Sequence, residues 1–169
     1  MGTAQTTRSN DTTWVIVADE AIARILRWSD SGEALEPVEE LTDPDAHASG
    51  QDLRRDAYGR RASTGTGGRR LGAGTTASAG QAEQHQEAEA FARRVAQHIE
   101  QAWHQHRFSG LQIAAAPRFL GLLRKSLDPQ VCETVQGDVD KDWVHAQNDE
   151  IAQHLRAAGL SARPNKKPA

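Results

Sequence analysis

The 169-residue chain has a single cysteine, Cys132. No disulfide can form within it, which excludes the small stapled folds. Cys132 lies in an apolar run beside Val131, so a buried, unreactive thiol is expected. The opening residues, Met1 to Asp11, are polar and lack the apolar stretch of a secretory signal. No run approaches the roughly 20 apolar residues of a membrane-spanning helix. The expected compartment is therefore the cytoplasm, with no membrane partner. Only 37% of the residues are hydrophobic, little for a compact fold and consistent with one domain diluted by disordered segments. The net charge of −3 gives no global attraction for nucleic acid.

Several chemistries lack their signatures. The stretch Gly65-Thr66-Gly67-Gly68-Arg69-Arg70 puts an arginine where a dinucleotide fingerprint needs its third glycine, and no GxxxxGK[ST] loop exists. His104 and His106 are two apart, about 200° around a helix, and no cysteine partners them, so neither a metal nor any other cofactor is expected. No serine sits in a GxSxG elbow. The acids Asp138, Asp140 and Asp142 precede the last helix, where capping explains them better than acid–base catalysis.

What is present is a patterned body around an unpatterned insertion. Residues 1–11 read as a disordered tail. Thr13 to Ala18 is a β-branched apolar run that fits a central strand. Ala21 to Trp28 reads as a second strand, with a helical turn as the alternative, and the turn cluster Ser29-Asp30-Ser31-Gly32 follows. Leu35 to Leu41 is a weaker strand, and Pro37 points to an edge. From 42 to 82 the composition is that of a long mobile loop, charged first and then almost wholly Gly, Ser, Thr, Ala and Arg. Ala88, Phe91, Ala92, Val95, Ile99, Ala102 and Trp103 then form one helical stripe. Leu111 to Ala116 reads as a buried strand. Pro117 opens a helix that Pro129 cannot continue. Val131 to Val139 reads as the final strand, and a helix from about Val144 to Ala158 ends at Gly159. Residues 161–169 read as a second disordered tail. The expected architecture is a single α/β domain over residues 12–160: a mixed five-stranded sheet with three helices and a long disordered loop between the third strand and the main helix.

Charge is uneven. Between Gln51 and Arg70, six arginines (Arg54, Arg55, Arg60, Arg61, Arg69 and Arg70) face two aspartates, so that stretch is +4 and the rest of the chain −7. A basic loop on an acidic body suggests an anionic partner, with an inert solvated loop as the alternative. Arg118 follows Pro117 at the carboxyl end of a predicted central strand, where open α/β sheets hold ligands and a helix N-terminus meets anions, with a purely structural use of Pro117 and Arg118 as the favoured alternative.

The blocks Trp14 to Asp19, Ala23-Arg24-Ile25, Leu41 to Ala46, Asp56 to Arg60, Phe91 to Ala96 and Ala114 to Arg124 occur in order over about residues 13 to 158. In this order the chain resembles the bacterial host attachment protein family, bacterial relatives of the archaeo-eukaryotic peptide-chain release factor. The resemblance implies a ribonuclease-H-like fold, as in the release factor's middle domain. There a loop carrying Gly-Gly-Gln positions water against the peptidyl-tRNA ester. Gly80 and Gln81 match the last two positions, and Ala79 replaces the first. The resemblance thus implies a domain that meets the ribosome or tRNA through the arginine loop, with Gly80 and Gln81 as the catalytic candidates of an ester hydrolase. The family's attachment name implies instead a non-enzymatic protein that contacts another protein and serves attachment to host cells indirectly.

Overall fold

The computed structural model describes residues 12–44 and 75–162. The expected disordered loop, apart from its ends, lies outside the described residues. Five strands form one mixed sheet: β1 (Thr13–Ala18), β2 (Ile22–Trp28), β3 (Leu35–Thr42), β4 (Gly110–Ala115) and β5 (Val135–Val139), in the order β3-β2-β1-β4-β5. β1, β2 and β3 pair antiparallel, and β4 and β5 add parallel beyond β1. Hairpins join the first three strands because Ser29 to Gly32 turns the chain, with Gly32 at φ 73° and Ser29 N–H donating to Ala34 O at 2.9 Å. At β3 the pairing shifts at Leu26, opposite Pro37, as expected for a proline confined to an edge.

Among the described residues there are four helices rather than three: α1 (Thr75–His104), α2 (Pro117–Ser126), α3 (Pro129–Glu133) and α4 (Asn148–Ala157). α1 and α2 cover one face of the sheet, where Ile16, Ile25, Ile113, Phe91, Val95, Ile99 and Phe119 are buried together. α4 covers the other face, with Ile151, Ala152 and Leu155 against Val15, Val17, Leu26 and Trp28. Both faces of β1 and β4 are therefore closed, which is why all six residues of each are buried.

Several boundaries differ from the sequence expectation. The run from Val131 is not strand from its start. Asp128 accepts from Gln130 N–H at 2.8 Å, Pro129 takes the first helical position, and residues 129–133 form a helix before β5 begins at Val135. Within that helix Cys132 is exposed, because Val131 is the residue turned to the core. The last helix starts at Asn148, capped by Gln147 and Glu150 rather than by Asp138, Asp140 or Asp142. Asp138 instead lies on β5 and binds Arg124 side by side. That hydrogen bond, aided by the charges of Asp138 and Asp140, outweighs desolvation and raises the Arg124 pKa. At its far end α4 closes in a Schellman motif. Gly159 has φ 81°, its N–H reaches Arg156 O, and Leu160 N–H reaches Leu155 O. Ser161 and Ala162 lie on the body, with Ser161 O bound by Gln112 and Ala162 packed against the α4 core, so the tail boundary falls later than expected.

α1 ends with the same motif but without glycine. His106 N–H donates to Trp103 O at 2.8 Å, Arg107 N–H donates to Ala102 O at 3.0 Å, and His106 itself has φ 55°. A non-glycine residue in this region costs about 1–2 kcal/mol. The substitution His106→Gly is expected to raise unfolding stability by about 1 kcal/mol, after allowing for glycine's greater unfolded-state entropy. Urea denaturation checks it: an unchanged or lower midpoint refutes the strain.

Candidate functional site

The sequence-predicted residues that the structure describes gather at one end of the sheet, where β1 and β4 finish. Asp19 closes the β1–β2 turn by accepting from Ala21 N–H at 2.8 Å and Ile22 N–H at 2.7 Å. Ala116 N–H donates to Ala18 O at 3.1 Å, and Pro117 then starts α2, so Arg118 stands beside this turn. Its guanidinium Nε lies 3.5 Å from Glu20 Oε1, and its Nη2 lies 3.1 Å from His85 Nδ1. Arginine has no acceptor, so His85 Nδ1 accepts and the ring proton is assigned to Nε2, which lies 3.2 Å from Glu89 Oε1. The result is a chain Glu20–Arg118–His85–Glu89 across the β1–β2 turn, α2 and α1. About half of the Arg118 side chain, 54%, remains accessible.

Gly80 and Gln81 are not in a loop. Both lie within α1, are exposed, and precede His85 by five and four residues, so Gln81 shares the helical face of His85 one turn away. A β-carbon at Gly80 would meet nothing within 4 Å, so packing does not require glycine there. In a helix interior it costs about 0.5–1 kcal/mol relative to alanine and makes this turn the easiest to unwind. Residues 79–86 are all exposed, and among the described side chains of α1 the first buried one is Ala88. At about 1.5 Å per residue, the turns from 79 to 87 make an arm roughly 13 Å long.

The arginines Arg54, Arg55, Arg60, Arg61, Arg69 and Arg70 lie outside the described residues. Before that stretch, Asp43 N–H donates to Ala21 O at 2.7 Å, and the Asp43 carboxylate, 5% exposed, pairs with Arg94 Nη2 at 3.0 Å. After it, the described residues resume at Thr75, the start of α1. Sequence reasoning missed this use of Asp43. The only signal was an acid next to Pro44 at the end of a strand, and its partner Arg94 is 51 residues away. Among the described residues no group of three or more His, Cys, Asp or Glu is placed to hold a metal. His98 lies 2.7 Å from Glu39 across α1 and β3, close enough to attract but not aligned for a hydrogen bond. No helix among the described residues is long and apolar enough to cross a membrane.

A family model described as "Protein required for attachment to host cells" matches residues 14–155. No curated protein matches the chain significantly. Among solved structures, one titled "Archaeal protein" superposes with a TM-score of 0.45 at 14% identity, covering 89% of this chain and 38% of its own. An archaeal translation termination factor superposes with a TM-score of 0.40 at 13% identity, covering 89% of this chain and 39% of its own. The chain thus spans about two fifths of the length of either structure.

Proposed function

We propose that this chain, a member of the family of proteins required for attachment to host cells, acts as a ribosome- or RNA-associated domain, contacting an anionic partner through its arginine segment and the α1 arm. One observation carries the reading. The segment with six arginines follows in sequence on Asp43, which is tied to the sheet end that exposes Arg118, on a body that is otherwise acidic. Arginine-rich segments tethered to a rigid body suit phosphate backbones, where each contact releases counterions. Binding without hydrolysis is the favoured version. Gln81 within a helix has no backbone turn to present it to a reacting ester, and hydrolysis requires the arm to unwind at Gly80 first.

Ribosome co-sedimentation tests this. The wild-type protein is expected to pellet with ribosomes at low salt and to be released as salt rises. Replacing all six arginines by glutamine is expected to lower the bound fraction about tenfold or more. Wild-type protein that stays in the supernatant at low salt refutes the reading. A Gln81→Ala protein that releases peptide from peptidyl-tRNA as well as the wild type excludes the hydrolase version.

The family description favours a second reading, a non-enzymatic interaction protein whose effect on attachment is indirect. Cell fractionation separates direct from indirect attachment: recovery from the cell surface argues for a direct role, and recovery from the cytosol alone for an indirect one.

A further inference from the structure

β3 is the outer strand of the sheet, and among the described residues no strand pairs with its far edge. Its register decides which backbone groups that edge offers. Thr42 pairs with Ile22, Leu41 with Ala23, Glu40 with Arg24 and Glu39 with Ile25. Asp43 N–H donates to Ala21 O at 2.7 Å, a bond that joins the residues just beyond the Thr42–Ile22 pair. In an antiparallel ladder this marks Thr42–Ile22 as a pair that exchanges no bonds, and bonded and non-bonded pairs alternate from there. Leu41 and Glu39 are thus bonded to β2, while Thr42 and Glu40 turn N–H and C=O outward. The alternation breaks at Pro37 and Val38, where the register shifts, so the edge that another strand can follow is 39–42.

Side chains give this edge a sign. Glu40 shares a face of the sheet with its register partner Arg24, the face covered by α4. A cleft of about 520 Å³ opens there between β3 and the start of α4, with Glu39, Glu40 and Asp149 in its lining and Arg24 as its one cation. Three carboxylates against one guanidinium leave the lining at −2. That guanidinium is already engaged by Val144 O, Ala146 O and Asn148 Oδ1. Glu39 lies beside His98. The carboxylates of Glu40 and Asp149 are exposed and have no partner among the described residues.

We propose that β3 accepts an extended basic segment of a partner protein as an added strand beside residues 39–42. Backbone bonds to Glu40 and Thr42 supply affinity that is indifferent to sequence, as in other cases of strand addition, and side chains supply the selection. A lysine or arginine opposite Glu40 lies on the face of the cleft, where the unpaired carboxylates of Glu40 and Asp149 meet its charge. A second copy of the chain is the wrong occupant. Its β3 brings Glu39 and Glu40 against their own counterparts, and like charges opposite one another oppose pairing. Charged residues and a proline on an edge strand are the usual guard against self-pairing. Here the same glutamates that repel another acidic edge favour a basic one. This docking does not depend on the anion-binding reading above.

NMR titration of the full chain with a capped heptapeptide of alternating arginine and valine tests it. The peptide is expected to bind at low salt with a Kd below about 1 mM. At saturation, amide exchange is expected to slow at least about tenfold at Glu40 and Thr42 and to stay as it was at Glu39 and Leu41. The same peptide N-methylated at every amide keeps its charge but loses its donors, and is expected to bind at least about tenfold more weakly. Glu40→Pro removes an outward N–H without breaking a bond to β2, and is expected to weaken binding about tenfold or more. Glu40→Gln keeps that N–H and is expected to cost only about threefold, so backbone and charge are read separately. Absence of binding at about 1 mM overturns the proposal. Equal affinity for the N-methylated peptide overturns it, as does unchanged exchange at Glu40 and Thr42. Binding that appears only after the six arginines of the 54–70 stretch are replaced by glutamine identifies the chain's own segment as the occupant, and overturns it too.

Discussion

Replacing Gln112 by leucine is expected to lower unfolding stability by about 2–3 kcal/mol, although leucine nearly preserves volume and removes a polar group from the core. Gln112 is 1% exposed in the middle of β4. Its Oε1 accepts from Trp28 Nε1–H at 2.9 Å, and its Nε2 donates to Gln136 Oε1 at 3.1 Å and Ser161 O at 2.8 Å. Gln136 and Ser161 are exposed and can turn to water. Trp28 is 3% exposed and cannot, so its indole N–H is left unpaired. An orphaned buried donor costs its desolvation, about 1–3 kcal/mol, on top of the lost bond. The control is Trp28→Phe in the same background. It removes the orphan and is expected to be milder there than in the wild type, giving a coupling of about 1–2 kcal/mol in the double-mutant cycle. Equilibrium urea unfolding of the four proteins measures it, and a coupling near zero refutes the pairing. Hydrogen exchange gives a second readout, since Leu160 to Ala162 lose one tie to the sheet in Gln112→Leu while β1 stays protected.

That cluster shows where sequence reading stops. The apolar run from Leu111 to Ala116 is legible as a buried strand because closure on both faces demands near-continuous hydrophobicity. The polar exception within it has its partner 84 residues away, and no local pattern encodes that. The same limit explains the candidate site. Pro117 marks the start of α2 from sequence alone, and Arg118 can be placed at a strand's end. Its neighbours Glu20 and His85 come from a turn and a helix whose relative position only the packed sheet defines.

Misread elements have local causes. Pro129 stops the preceding helix, as expected, but it also starts the next one, because a proline that cannot continue a helix is well suited to a first position after an aspartate cap. The valines at 131, 135 and 139 are spaced by four, a pattern that a helix turn and a strand can both satisfy, and the chain divides it between α3 and β5. The small residues before Gln81 read as loop by composition. Ala79 and Ala82 are strong helix formers, and with Gly80 between them α1 extends to Thr75.

Arg24→Ala is the other substitution expected to cost about 2–3 kcal/mol, and it acts on α4. α4 starts four residues later than its apolar periodicity suggests, and Arg24 supplies the reason. From β2 its Nη1 donates to Val144 O at 2.7 Å and Ala146 O at 2.8 Å, and its Nη2 donates to Asn148 Oδ1 at 2.5 Å. Asn148 is the first residue of α4 and donates in turn to Leu35 O at 3.4 Å. One guanidinium thus holds residues 144–146 out of helical geometry and sets where α4 begins. Charge-assisted bonds to three acceptors sum to more than 3 kcal/mol in isolation. The cleft of about 520 Å³ beside Arg24 and Asn148 lets water reach the freed carbonyls, which brings the expected loss down. Lysine provides charge but not the fork, so Arg24→Lys is expected to recover less than half of the loss. Against a typical domain stability of about 5–15 kcal/mol, either change is readable as a shifted denaturation midpoint. Faster amide exchange is expected over 144–152, with β1 exchanging only through global unfolding. A loss under about 0.5 kcal/mol, or full recovery with lysine, refutes the anchoring role of Arg24.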